Sequence, residues 1–521
     1  MYTQFAIFLF QYYSEIMEQK DKSVQHICSR TLESPSHHFT ISEVIDAIGY
    51  GKFHVLLSLA TGLAFLCDSM EIMILSVLSP ALQCSSAWEV TKTQIATLTT
   101  LVFVAMTITS PIWGLIADEH GRRKSLIISS ILLLMFGLLT AFSTSYLWLV
   151  VLRFLCGCCI SCMPQCVTLL LEYLPSRDRG KANLVMAMTW AFGGTFTILL
   201  AWGCIPTWPY GWRILIALCT LPVLIFLIIS FWLPESILFV VKKGRKEETH
   251  LLLKSLACTN KKEDVLKQKT ITLEDADATT NFNNIDRARI LFSHILGAGK
   301  KKLTFLIWGI CGLAAFNYYG VVLFATELMI LNNTKLSDTI IASPEKCHSL
   351  TSNDYTSLLW ISLAEFPATF ISLYIMDIIG RKKTFSINSA IFLASLILYV
   401  VAQEYFDTTG ATVLLFLARG SAVSYTWCCF IYVPEAYPTE VRSIAFGLGS
   451  GFIRIGAMVT PYIAQVLMAY SMSFALALYI LAGLLAAVLP LYLPIETMGR
   501  DLSVAEESQK LIPKDKESSD E

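Results

Sequence analysis

Charge is what this sequence has least of. Asp, Glu, Lys and Arg together make up 15 % of its 521 residues, against roughly 25 % in soluble domains. The formal net charge of −1 is uninformative, and the charge run of residues 237–302 reads as a water-facing surface and orientation signal, so no nucleic-acid partner is expected. Histidine is scarce, and no Cys and His fall at zinc-ligand spacing. No nucleophile with a matching base and no phosphate loop can be found. These absences speak against an enzyme and against a resident metal or cofactor. A secretory leader is not evident either: "MYTQFAIFLFQYY" has a short apolar patch but no basic start or convincing cleavage site.

What fills the space is apolar. Hydrophobic residues reach 55 % and mean hydropathy is +0.59. A bilayer-spanning helix needs about 20 mostly apolar residues, and twelve runs qualify. They lie near 53–78, 94–117, 125–142, 147–172, 182–205, 212–233, 303–331, 355–376, 384–402, 412–433, 443–469 and 472–493. The expected class is an all-α polytopic membrane protein embedded in a lipid bilayer. With both termini in the cytoplasm, thirty-two Lys and Arg fall on inner segments against four on outer ones, a strong positive-inside asymmetry. The predicted organisation is a cytoplasmic tail (1–50), a six-helix bundle (51–236), a polar linker (237–302), a second six-helix bundle (303–496) and a C-terminal tail (497–521), acting as a monomer.

The two bundles repeat one another. "GLIADEHGRRK" after the second run returns as "MDIIGRKK" after the eighth, with Asp118 and Asp377, Gly121 and Gly380, and Arg122 and Arg381 each 259 residues apart. "EYLPSRDRG" (Glu172 to Gly180) returns as "EAYPTEVRS" (Glu435 to Ser443), and "LPES" after the sixth run as "LPIETMGR" after the twelfth. Two matched halves of this kind are how many secondary transporters are built. At the repeated turn, Gly permits a tight reversal or close backbone approach, and Asp is an expected acceptor for nearby backbone N–H groups and for the Arg that follows. Arg122, Arg123, Arg381 and Lys382 are within reach of Glu172 and Glu435. Half-wet pairs of this type are worth about 1 kcal/mol each, a magnitude suited to contacts that form in one state and break in another.

The order of these motifs resembles the major facilitator superfamily over residues 50–500, in particular its sugar-porter and organic-ion branches. "DAIGYGKFH", "CDSMEIMILSVLSP", "ISLAEFP", "YVPEAYPTEVR" and "LPIETMGR" are similar, more narrowly, to the synaptic vesicle 2-related group. The resemblance implies inner gates at Asp118, Gly121, Arg122, Glu172 and Arg179, and at Asp377, Gly380, Arg381, Glu435 and Arg442. It also implies a cavity lined by spans 1, 4, 7, 8, 10 and 11. Glu440 and Ser443 depart from the usual last copy of the gate motif.

Six charges sit deep in apolar runs: Asp68, Glu71, Arg153, Glu365, Arg419 and Arg454. Such groups cost about 2.5–3.5 kcal/mol each on insertion scales and mark either locked pairs or a transport path. At a rise of about 1.5 Å per residue, Glu365 and Arg454 fall at similar depth. The expected couples are Asp68 or Glu71 with Arg153, and Glu365 with Arg454. Asp68 and Arg153 match the positions of an Asp and an Arg that proton-linked sugar porters carry, so the resemblance implies Asp68 as proton carrier and Arg153 as its modulator. Asn317, Tyr318 and Tyr319, with Trp190, Tyr425 and Trp427, are expected to line the substrate path. Aromatic side chains there suit a flat or amphiphilic organic molecule.

The expected function is secondary active transport of a small organic solute, an organic ion in preference to a neutral sugar, coupled to protons by alternating access. The alternatives are a facilitative sugar-type carrier and a non-transporting vesicle-membrane protein on the same scaffold. "AFGGTFTILLAWG" lacks the Gly-Pro step of drug–proton antiporters on span 5. The tail "EESQKLI" offers Glu507, Leu511 and Ile512 at the spacing of an acidic dileucine signal, implying sorting adaptors and a vesicle or endosome population beside the plasma membrane. Asn332 is a glycosylation acceptor by pattern, and Cys84 and Cys347 are the pair of outer cysteines that could bridge.

Overall fold

The computed structural model describes residues 41–83, 90–175, 178–265, 295–297, 301–338, 350–402, 408–437 and 439–498. Twelve helices are long and apolar enough to cross a membrane. We label them α1 (Lys52–Gln83), α2 (Lys92–His120), α3 (Arg122–Ala141), α4 (Tyr146–Tyr173), α5 (Gly180–Cys204) and α6 (Gly211–Ser230). The second set is α7 (Lys301–Ile330), α8 (Ser352–Ile379), α9 (Arg381–Val401), α10 (Thr409–Ala436), α11 (Ile444–Tyr470) and α12 (Met472–Tyr492). The apolar runs read from the sequence coincide with these helices one for one.

The internal repeat extends to how helices begin. α2 opens with a capping box in which Thr91 Oγ1 accepts from the Gln94 N–H at 3.3 Å, and Gln94 Oε1 accepts from the Thr91 N–H at 2.8 Å. α8, its counterpart, opens with the same reciprocal pair made by Thr351 and Asp354. Each box satisfies N–H groups that the first helical turn leaves without partners.

Prolines shape the interiors. α4 is regular over Tyr146–Ile160 and again over Gln165–Tyr173, with Pro164 in the gap. α8 runs as Ser352–Leu363 and Glu365–Ile379. Pro367 cannot donate to the Leu363 carbonyl, which explains the interruption at Ala364. Glu365 thus opens the second segment, at the end of a helix dipole that favours a negative charge. In α11 a π-helical stretch, Tyr462–Leu467, follows Pro461.

Within the halves α1 packs along α5 and α7 along α11, whereas across them α2 meets α11 and α5 meets α8. α1 is the most enclosed, its most apolar 18-residue stretch wholly buried, followed by α10 at 78 %. α1 carries Asp68 and Glu71 and α10 carries Arg419, so charge is placed on helices whose neighbours are protein. Phe142, Leu147 and Val401 are exposed at the periphery, as expected of side chains that meet lipid.

The described part of the linker that follows the first half covers one of its ends. Asn260, just past the helix Lys246–Thr259, accepts from the Phe53 N–H at 3.1 Å and donates to the Gly49 carbonyl at 3.1 Å. We call this end the linker side and the opposite end the far side.

Candidate functional site

The repeated turn is built from four elements at each end of the symmetry. Gly121 and Gly380 have φ of +100° and +93°, a region that side chains strain to enter. A Cβ on Gly121 would also lie 2.5 Å from Glu235 Oε2, and one on Gly380 3.1 Å from the Glu496 carboxylate. Those two acids explain the glycines. Glu235 accepts from the Arg123 N–H at 3.1 Å, and Glu496 accepts from the Arg381 and Lys382 N–H groups at 2.9 and 3.1 Å. Each places a carboxylate on the N-terminus of α3 or α9, where free N–H groups and the helix dipole both favour it.

The sequence assigned that acceptor role to Asp118 and Asp377, and the structure corrects it. Both lie on the last turn of the preceding helix, whose backbone N–H groups are already used. Asp118 is exposed. Asp377 is 74 % exposed and reaches only Arg381, at 3.3 Å. Glu235 and Glu496 went unassigned because "LPES" and "LPIETMGR" were read as boundary markers. Their recurrence at matching ends of α6 and α12 was the available signal.

The arginines behave as the spacing predicts. Arg122 Nε meets Glu172 at 2.9 Å, and Arg381 grips Glu435 with two N–H groups at 3.1 Å each. Ser236 and Thr497, each directly after its capping glutamate, donate a hydroxyl to Glu172 and Glu435 respectively. Arg123 donates to the Phe231 carbonyl and Lys382 to that of Leu493. Every one of these contacts stays within its own half. Arg442 is half-buried at the start of the α11 region, and Arg179 stands at the corresponding start before α5.

Deeper in the protein the six buried charges resolve into two closed couples and one open pair. Arg153 Nη1 donates to Glu71 Oε2 at 2.6 Å, both side chains buried. Arg419 Nε donates to Glu365 Oε1 at 2.8 Å, each side chain 1 % exposed. The expected Glu365–Arg454 couple is therefore corrected: equal depth does not bring α8 to α11, because α8 packs on α10. Of the two acids offered to Arg153, it takes Glu71, so Asp68 is not its partner.

Asp68 and Arg454 remain. They stand on α1 and α11, in opposite halves, 7 % and 6 % exposed. Asp68 Oδ1 and Arg454 Nη1 have no hydrogen-bond partner. Arg153 Nε and Nη2 and Glu365 Oε2 also lack partners, but each of those couples closes a charged hydrogen bond, whereas Asp68 and Arg454 close none with each other.

Aromatic side chains connect the halves around these charges. Trp190 Nε1 on α5 donates to the Tyr318 hydroxyl on α7 at 2.8 Å, and Tyr318 donates to Glu365 at 3.1 Å. The Phe65 ring lies 6.3 Å from Trp190 and 6.2 Å from Trp427, and Tyr319 lies 5.0 Å from Tyr318 and 5.1 Å from Phe103. Tyr425 is not among them, a further correction. Its hydroxyl donates to the Ala486 carbonyl and its ring packs on Phe385 inside the second half. Asn317 lines a small cleft with Asn388, Ser389, Ser421 and Tyr425, also inside that half.

One buried acid escaped the sequence reading. Glu327 on α7 accepts from Ser79 of α1 and pairs with Lys92 of α2, both at 3.1 Å. A glutamate inside "LFATELMI" was the signal, obscured because Lys92 was counted as an outer-loop residue. Other bonds between the halves, Thr97–Tyr462 and Trp202–Ser352, lie on the same far side. Cys84, Cys347, Glu507, Leu511 and Ile512 lie outside the described residues, as do the side chains of Asn332 and Arg179.

The twelve-helix arrangement can be set beside known proteins. The family described as "Sugar (and other) transporter" matches residues 68–508. The chain belongs to this transporter family of the major facilitator superfamily. Among curated proteins, this transporter is 40 % identical over 472 residues to the synaptic vesicle 2-related protein of Xenopus laevis, covering 89 % of this chain and 82 % of that one. It is 38 % identical over 470 residues to the rat (Rattus norvegicus) protein of the same name, with the same coverage. That similarity places it in the synaptic vesicle 2-related group. Among solved structures, the inward-open xylose transporter XylE from E. coli superimposes with a TM-score of 0.67 at 16 % identity, over 87 % of this chain and 99 % of that one. A XylE structure described as a proton:xylose symporter bound to 6-bromo-6-deoxy-D-glucose gives 0.63 at 17 % identity, over 88 % and 100 %.

Proposed function

We propose that this transporter is a proton-coupled secondary carrier of a small organic ion, working by alternating access. The observation that carries the reading is the Asp68–Arg454 pair. The Glu71–Arg153 and Glu365–Arg419 couples each sit within one half, and a rigid-body rocking of the halves leaves them intact. Asp68 and Arg454 sit on opposite halves, so the same motion changes their separation. When Arg454 recedes, a buried carboxylate loses its compensating charge and takes up a proton. When it returns, the proton is released. Asp68 is thus the proton carrier, with Arg454 in the modulating role that the sequence gave to Arg153.

The contacts between halves support the second element of the reading. They run from mid-depth to the far side, with Glu327, Lys92 and Ser79 at the outermost point. This is the pattern of a carrier closed on the far side. Positive-inside asymmetry makes the linker side cytoplasmic, so the state is inward-facing. Substrate contacts fall to Trp190, Tyr318, Tyr319 and Trp427, with Asn317 behind them. The gate residues of the linker side, Arg122 with Glu172 and Arg381 with Glu435, then rearrange in the opposite state. In cells the reading places the protein in vesicle, endosomal or plasma membranes, with both termini cytoplasmic. Glu507, Leu511 and Ile512 address it through sorting adaptors. Loss of intracellular retention in a Leu511→Ala, Ile512→Ala variant is the matching observation.

The test is uptake. A metabolite-uptake screen in expressing cells at two external pH values identifies the solute, and proteoliposomes under an imposed pH gradient then measure its coupling. Asp68→Asn is expected to abolish gradient-driven accumulation while exchange of solute across the membrane persists. Unchanged accumulation in Asp68→Asn rules the reading out.

A further inference from the structure

The small cleft inside the second half has a wall of one chemical sense. Its volume is about 10 Å³, room for one water-sized particle, and it lies among α7, α9 and α10. Its polar lining is Asn317, Asn388, Ser389, Ser421 and Tyr425, and the rest is Ala and Phe.

The protons of that lining are committed elsewhere. Ser389 donates to the Gly483 carbonyl and Ser421 to that of Leu417, both at 2.8 Å. Tyr425 donates to the Ala486 carbonyl at 3.1 Å. Asn388 Nδ2 donates to Ser372 Oγ at 2.7 Å and to Cys428 Sγ at 3.9 Å. What these side chains still offer is oxygen lone pairs. Asn317 is the clearest case: it is 5 % exposed, and its Oδ1 accepts no hydrogen bond among the described residues. The cleft beside Glu71 has the opposite sense, because the groups without partners there are the Nε and Nη2 donors of Arg153.

A buried acceptor without a donor is costly, and a wall of acceptors limits what can relieve it. One water has two protons to give, and its own lone pairs then meet only oxygens. A cation has no such lone pairs and is shared by every oxygen at once. Calcium and magnesium sites draw on carboxylates, and none lines this cleft, so the wall suits a monovalent ion. A volume of one water favours sodium over the larger potassium ion.

We propose that this cleft binds a sodium ion, coordinated by Asn317 Oδ1 with the side-chain oxygens of Asn388, Ser389 and Ser421. The ion ties α7 to α9 and α10 one residue before Tyr318, whose hydroxyl accepts from Trp190 and donates to Glu365. Sodium thus steadies the part of α7 that presents aromatic groups to the substrate path. The site uses neither Asp68 nor proton coupling, and it stands apart from the carrier reading.

The test is the melting temperature of purified full-length protein in detergent at fixed ionic strength. Sodium is titrated against choline and, separately, potassium against choline. Sodium is expected to raise the melting temperature along a saturating curve, while potassium and choline leave it flat. Asn317→Leu, which removes the oxygen and keeps the bulk, is expected to abolish the rise. Asn317→Asp sets a full charge on the ion and is expected to lower the half-saturating sodium concentration about tenfold. A merely structural asparagine gives no such tightening. Ser421→Ala is expected to raise that concentration. An equal response to the three cations, or none to any, overturns the proposal and leaves the cleft to water. A sodium curve unmoved in Asn317→Asp and Ser421→Ala overturns it too, and these two decide the matter if Asn317→Leu does not fold. Gradient-driven uptake without a sodium response fails this proposal alone, and a sodium response without uptake fails the carrier reading alone.

Discussion

At the scale of single residues, the repeated turn shows why its letters are fixed. Gly121 and Gly380 meet two demands at once: a positive φ, and clearance for a carboxylate arriving from another helix. The demands are unequal in the two copies, since the added methyl would stand 2.5 Å from Glu235 but 3.1 Å from Glu496. Backbone strain of this kind costs on the order of 1–3 kcal/mol, and the closer contact adds to it. Gly121→Ala is therefore expected to lower the melting temperature of the purified protein more than Gly380→Ala does. Equal melting of the two variants would show that the carboxylate contact does not matter. The arginines at the same turns were legible from sequence because their partners stand in a second motif that both copies repeat, Glu172 in "EYLPSRDRG" and Glu435 in "EAYPTEVRS". The glutamates were missed because each comes from the far end of its own half, 112 residues from Arg123 for Glu235 and 115 from Arg381 for Glu496.

At the scale of elements, the interruption of α8 is the informative feature. Pro367 leaves the Leu363 carbonyl without its helical donor, and the break puts Glu365 at a helix start where Arg419, Tyr318 and the dipole all address it. Broken helices at mid-membrane depth recur where carriers hold their ligands. Restoring the donor with Pro367→Ala is expected to make α8 continuous and swing Glu365 off Arg419. The protein should remain folded while uptake falls at least about tenfold, as expected for a misplaced site group. Retained uptake in a folded Pro367→Ala variant would show that the break is incidental. The sequence displayed "ISLAEFP" openly, yet a proline two residues after a buried acid does not by itself reveal which arginine the acid will face.

At the scale of the whole molecule, the question is what holds the two halves in their present tilt. The far side is fastened by Lys92 and Ser79 on Glu327, a carboxylate that is 2 % exposed. Lys92 is 30 % exposed, so the pair is only half buried, but removing the lysine still leaves the buried Glu327 carboxylate uncompensated in the closed state. Lys92→Met is therefore expected to shift the population toward a form open on the far side. Single cysteines placed along the far-side ends of α1 and α7 should then be alkylated faster by an impermeant reagent. Unaltered labelling would mean that the Thr97–Tyr462 and Trp202–Ser352 contacts suffice to hold the closure.

Sequence alone determined the twelve spans, the duplication, the arginine–glutamate pairs at the turns and the set of charges that must be buried. Each of these depends on local composition, or on offsets along the chain that both halves repeat. Only the tertiary structure decided which acid faces which arginine. Depth along a helix is a single coordinate that a sequence supplies, and Glu365 and Arg454 share it. Partnership also depends on which helices are neighbours and how each is rotated, and that is set by packing throughout the bundle. By the same route, packing buried Asp68 and Arg454 on helices of opposite halves and paired Glu327 with Lys92 across the far side.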